Sequence, residues 1–162
     1  MINKEITINY EEYSGIDELP DQYKELCLEA ENALNSSHSP YSKFRVGAAL
    51  RLKSGRIVYG SNQENVAYPS GLCAERVALF TAGANYPEDP IIAMAVTAQT
   101  DLFKLTSPVT SCGSCLQVMV ESEKKQNSPF DIILHCIDGP VIKTRGVKSF
   151  MPFLFDEGRL EK

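Results

Sequence analysis

Two short segments constrain this chain more than anything else in it: Cys73-Ala74-Glu75, and further along Cys112-Gly113-Ser114-Cys115. A fold that uses them together must bring one cysteine and a Cys-x-x-Cys pair to a single point, with a glutamate beside them. A Cys-x-x-Cys pair alone serves redox chemistry and structural zinc equally well. The additional cysteine, with a carboxylate two residues on, narrows the choice. Three protein ligands leave a fourth position open, which separates catalytic zinc from closed structural zinc. Glu75 is then spaced to handle the protons of a water rather than to bind the metal. The pattern reads as a hydrolytic zinc enzyme, in preference to a structural zinc site or a redox-active pair.

The remaining composition sets bounds on that reading. At 162 residues and 43 % apolar, the chain fits one domain that buries roughly two-thirds of its unfolded surface. A net charge of −5 argues against a nucleic-acid partner, because clustered Lys and Arg drive such binding. No stretch is apolar and long enough to span a bilayer, and the start, MINKEITINY, lacks a signal-peptide core. The expected compartment is the cytoplasm. Five cysteines are an odd number without framework spacing, which fits reduced thiols and a metal better than disulfides. Cys27 and Cys136 lie in apolar-periodic segments and read as small core residues. His38 and His135 are isolated, and neither is assigned to the metal.

Periodicity places the motifs. Residues 1–16 are polar and loosely alternating, an N-terminal extension or short edge strand, and 17–162 form a single catalytic domain. Leu19, Tyr23, Leu26, Ala30, Ala33 and Leu34 recur at helical spacing up to Ser36. Ser39-Pro40-Tyr41-Ser42 breaks that helix. A hairpin follows, Val46–Leu52 and Arg56–Ser61, turning at Ser54-Gly55. A helix is expected from Cys73 to about Gly83. The apolar run Ile91–Ala98 reads as a buried central strand. A second helix spans about 113–125, and two strands, Asp131–Ile137 and Val141–Arg145, flank Asp138-Gly139-Pro140. A short helix around Lys148–Phe155 closes the chain. This order predicts an α/β fold: a three-layer α/β/α arrangement with a mixed sheet of about five strands.

Both cysteine segments fall at expected helix starts, where free backbone N–H groups and the helix dipole favour thiolates. Zinc with three thiolates would carry a formal charge of −1, weakening its effect on a bound water. Arg76, next to Glu75, is placed to donate hydrogen bonds to the sulfurs and withdraw charge from the metal.

Ser39-Pro40-Tyr41-Ser42-Lys43-Phe44, Asn62-Gln63-Glu64-Asn65, Cys73-Ala74-Glu75-Arg76 and Cys112-Gly113-Ser114-Cys115 stand in this order along the chain. Jointly they resemble the cytidine deaminases of the small, homotetrameric, zinc-dependent type, over about Leu19 to Phe155. An upstream cysteine in place of histidine points to the free-nucleoside branch of that superfamily. The resemblance implies one Zn²⁺ per subunit held by Cys73, Cys112 and Cys115. It also implies that Glu75 carries protons to N3 of cytosine and assists the loss of ammonia. Asn62 and Glu64 would bind the ribose hydroxyls, Phe44 would pack against the ligand, and backbone around Ala74 would read the base edge. Tyr68 would lie on the loop over the sugar, and Phe155 would stack on the base from a neighbouring subunit. The implied activity is deamination of cytidine and deoxycytidine to uridine and deoxyuridine in pyrimidine salvage, with a nucleoside as the small-molecule partner and neither nucleic acid nor membrane involved. Two positions depart from the family pattern Pro-Cys-Gly-x-Cys-Arg-Gln: Ser111 stands for the proline and Leu116 for the arginine. Two alternatives to that activity stay open, the first made more credible by these departures. One is a deaminase of a related cytosine nucleoside, such as an aminoacyl-nucleoside antibiotic. The other is a non-catalytic module that binds zinc and nucleoside.

Overall fold

The computed structural model describes residues 1–157. Among them the order is β1 (Glu11–Tyr13), α1 (Asp21–Ala33), β2 (Phe44–Leu52), β3 (Ile57–Ser61), α2 (Ala74–Asn85), β4 (Ile91–Thr100), α3 (Gly113–Lys125), β5 (Asp131–Cys136) and β6 (Val141–Arg145). One sheet holds all six strands in the order β1-β6-β5-β4-β2-β3. Only β4 and β5 run parallel, since α3 carries the chain back between them. The other neighbours are antiparallel. The β2–β3 hairpin turns where expected, with Gly55 at φ +89°, a conformation that costs a glycine little.

Each face of the sheet carries its own core. α1 packs Leu26, Cys27 and Ala30 against Ala49, Ala93, Ala95 and Ile133. α2 and α3 pack Ala78, Leu79, Met119 and Val120 against Leu50, Met94, Val96 and Leu134 on the opposite face. Strand alternation separates the two sets, residues two apart sharing a side. The layering is α/β/α, as the element order predicts. No helix among the described residues is long and apolar enough to cross a membrane.

Several expectations need correction. The sheet has six strands rather than about five, because Glu11–Tyr13 pair with Val141–Lys143 along the β6 edge. β2 begins at Phe44 rather than Val46, since Phe44 and Arg45 extend the ladder opposite Thr100 and Gln99. α1 starts at Asp21, with Pro20 at its N-cap. The short helix expected around Lys148–Phe155 is one 3₁₀ turn, Val147–Ser149, followed by irregular chain. Pro152 has no N–H to continue a helix and disfavours helical backbone at Met151.

Candidate active site

Loops 62–73 and 101–112 each end on a cysteine that starts a helix. Cys73 is the N-cap of α2 (φ −71°, ψ 155°) and Cys112 the N-cap of α3 (φ −71°, ψ 163°). Neither side chain caps its own helix, so both sulfurs are left for another partner. Cys115 lies in the first turn of α3 and is buried. The two helices pack side by side, which brings the three Sγ atoms within 4.8 Å of one another. Cys112 and Cys115 are 3.5 Å apart, and all five cysteines are free thiols.

That spacing suits a zinc ion. Tetrahedral zinc with Zn–S bonds of about 2.3 Å sets its sulfurs roughly 3.8 Å apart. The charge state fits as well. Hydrogen bonding from Cys115 holds the Cys73 thiol down at about 6, against the opposing effect of burial. The same bond, with burial and the charge of Glu75, pushes Cys115 up. Thiols this close cannot all ionise together unless a soft cation sits among them.

Glu75, in the first turn of α2, is only 4 % exposed. It lines the same cavity, of about 800 Å³, as Cys73 and Cys112. Arg76 places Nη2 4.0 Å from Cys73 Sγ and 3.5 Å from the Gly71 carbonyl. Of the two departures from the family pattern, Leu116 packs against the α2/α3 core, while the Ser111 hydroxyl is buried without a partner.

Phe44, Asn62, Glu64 and Tyr68 also line the cavity. Asn62 is held on three sides: its Oδ1 accepts from the Val46 N–H at 2.8 Å and from the Ser37 hydroxyl at 2.5 Å, and its Nδ2 donates to the Phe44 carbonyl at 2.8 Å. Glu64 accepts from the Tyr41 and Ser42 N–H groups, at 2.9 and 3.2 Å, and from the Ser42 hydroxyl. The Ser42 bond chiefly, with those two N–H groups, holds the Glu64 carboxyl below its usual range. Tyr68 is highly exposed. Ala74 is fully buried between Cys73 and Glu75 and does not itself line the cavity. Phe155 is also outside it. Its ring is exposed, and its carbonyl accepts from Gln117 Nε2 at 3.0 Å.

Sequence reasoning missed four contributors. Phe103 tilts against Phe44, with ring centroids 6.3 Å apart. Val109 and Thr110 complete the wall beside Cys112. Ser37 holds Asn62. None lies in a recognisable motif, and only the fold brings each to its partner.

The comparisons with known proteins agree with this geometry. Residues 20–128 match the family model described as the cytidine and deoxycytidylate deaminase zinc-binding region. A cytidine deaminase of Sporosarcina psychrophila is 42 % identical over 134 residues, 83 % of this chain and 91 % of that one. One from Halalkalibacterium halodurans is 45 % identical over 96 residues, 59 % of this chain and 68 % of its own. The crystal structure of cytidine deaminase from Burkholderia pseudomallei superposes with a TM-score of 0.69 at 36 % identity, covering 81 % of this chain and 97 % of that one. Three sulfurs at two helix starts, a buried glutamate among them and these relatives all lead to one assignment: the chain belongs to the cytidine and deoxycytidylate deaminase family.

Proposed function

We propose that this chain deaminates cytidine and deoxycytidine hydrolytically, giving uridine and deoxyuridine with release of ammonia. The observation that carries this reading is the buried carboxylate of Glu75 in one cavity with the sulfur cage and with a wall of hydrogen-bonding side chains. Cys73, Cys112 and Cys115 would hold a zinc ion, which when bound would lower the pKa of a water beside Glu75 towards neutrality. Glu75 accepts a proton from water and delivers it to N3 of cytosine as the water oxygen bonds to C4. It then takes the remaining proton from the C4 hydroxyl and delivers it to the amino group, so that C4=O forms as the C4–N4 bond breaks and ammonia leaves. Burial keeps Glu75 close to the reacting atoms and away from competing solvent. Arg76 draws charge from the sulfurs.

The sugar and base are bound by the remaining wall. Asn62 and Glu64 hold the ribose hydroxyls, Phe44 packs on the ligand, Tyr68 covers the sugar, and backbone near Ala74 reads the base edge. Phe155 lies outside its own chain's cavity, which suits a part played in a neighbour's pocket. The subunits then form a homotetramer whose pockets are completed in trans, working in cytoplasmic pyrimidine salvage.

Glu75→Gln tests the reading. Ammonia release from cytidine falls at least about a hundredfold while zinc content by elemental analysis stays at the wild-type level. Near-normal turnover in that variant removes the proton shuttle. Wild-type protein that binds zinc and nucleoside but releases no ammonia is a binding module and not an enzyme.

A further inference from the structure

Asn62 sits 25 residues from Ser37 in the chain and is bonded to it, and that bond decides what the amide can offer a ligand. The backbone fixes which way the amide faces. The Val46 N–H requires an acceptor and the Phe44 carbonyl requires a donor, so Oδ1 faces the first and Nδ2 the second. Oδ1 has two lone pairs, and both are occupied once the Ser37 hydroxyl donates the second bond, at 2.5 Å. Nδ2 has two hydrogens, one of them spent on Phe44. A single N–H donor remains on a side chain that lines the cavity.

Ser37 is itself held in place. Its Oγ lies 3.3 Å from Ser39 Oγ, and the shorter contact to Asn62 takes its only hydrogen. The chain on either side runs beside the Asn62 segment: the His38 N–H donates to the Asn62 carbonyl at 2.9 Å, and the Glu64 N–H to the His38 carbonyl at 2.8 Å. Gln63 Nε2 reaches the Ser36 carbonyl at 3.1 Å. The segment that follows α1, Ser36 to His38, therefore carries the cavity's polar wall.

We propose that Ser37 is a positioning residue for sugar recognition. By saturating Oδ1 it makes Asn62 a donor only, while Glu64, an anion, only accepts. The two present a fixed donor–acceptor pair that matches ribose hydroxyls and gives a sugar lacking them nothing to bind. This rests on the deaminase reading above, since it is the nucleoside that brings the hydroxyls.

The test compares Ser37→Ala with wild type and Ser37→Thr. Dissociation constants are measured by calorimetry for uridine and 2′,3′-dideoxyuridine, alongside kcat and KM for cytidine. Ser37→Ala weakens uridine and raises the cytidine KM about three- to tenfold, leaves kcat within about twofold, and leaves dideoxyuridine binding unchanged. Ser37→Thr keeps the hydroxyl and binds uridine as wild type does. Equal weakening towards both nucleosides, no weakening towards either, or failure of Thr to restore binding overturns the proposal. Loss of the deaminase reading shows separately, as wild-type protein that binds uridine yet does not consume cytidine, and the uridine comparison still decides the role of Ser37.

Discussion

The two faces of the sheet are built on one principle and put to different uses. On the α1 face Ala30 meets Ala49, Ala93 and Ala95, beside the larger Leu26 and Ile133. On the other face Ala78 and Leu79 of α2 and Met119 and Val120 of α3 meet Leu50, Met94 and Leu134. There it is the helix starts that converge on the sulfur cage. Each face also has one glycine at which a helix backbone comes too near for any side chain. A Cβ at Gly47 would lie 2.1 Å from the Ala30 carbonyl oxygen of α1. One at Gly60 would lie 2.2 Å from the Ala74 carbonyl oxygen and 2.5 Å from the Ala78 nitrogen in the first turns of α2. Helices on the two faces are thus held equally tightly, but only one of these glycines sits under the catalytic end. Chemistry here depends on where helices begin, and stability on how they lie.

The same substitution on the two faces breaks or sharpens that contrast. Backbone atoms cannot swing aside, so Gly60→Ala displaces the start of α2 and with it Cys73 and Glu75. A shift of about 1 Å there lowers kcat by around a hundredfold. Gly47→Ala moves α1 instead and costs about 1–3 kcal/mol of stability, read as a lower urea midpoint. Because its Cβ would also sit 3.0 Å from the Leu34 nitrogen, shortly before Ser37, the cytidine KM rises while kcat stays within about threefold. Equal loss of kcat in both variants would remove the distinction between the faces.

A smaller effect concerns the buried titratable group on the α1 side. His135 is 2 % exposed, with Nδ1 3.5 Å from Glu31 Oε1 and no hydrogen bond there. Burial drives its pKa down from 6.5 to about 4, with Asp138 opposing, and burial likewise raises Glu31. The pair is a neutral imidazole beside a carboxyl reluctant to ionise, not an ion pair. Between pH 6.5 and about 4 the unfolded chain binds the proton that folded His135 refuses. Stability therefore falls as pH drops through that window, by on the order of 1–3 kcal/mol. The raised Glu31 contributes a slope of opposite sign above its ordinary value. His135→Leu flattens the fall, seen as melting temperature against pH from 7 to 4.5. Parallel curves for the two proteins would contradict a neutral, buried His135.

What was legible in the sequence was what local spacing encodes. Cys73, Glu75 and Cys112 sit at helix starts that loop residues announce, and the apolar run of β4 needs no partner to be recognised as buried. The hairpin was legible from Ser54-Gly55. The rest depends on contacts made across the fold. Glu11–Tyr13 becomes a strand only because the β6 edge is available to it, and Ser37 becomes part of the site only because Asn62 folds back on it. Phe103 lies in a loop without periodicity, and its tilted contact with Phe44 has no signature in its own neighbourhood. The helix expected over 148–155 failed for a local reason, Pro152, that apolar residues on both sides obscured.

Zinc K-edge absorption spectroscopy of the purified protein measures the ligand set itself. Two helix starts that share one ion through Cys73, Cys112 and Cys115 give three sulfur scatterers per zinc, falling to two in Cys115→Ser. Four sulfurs, two sulfurs with added nitrogen in the wild type, or a spectrum unaltered by that substitution would contradict the shared cage.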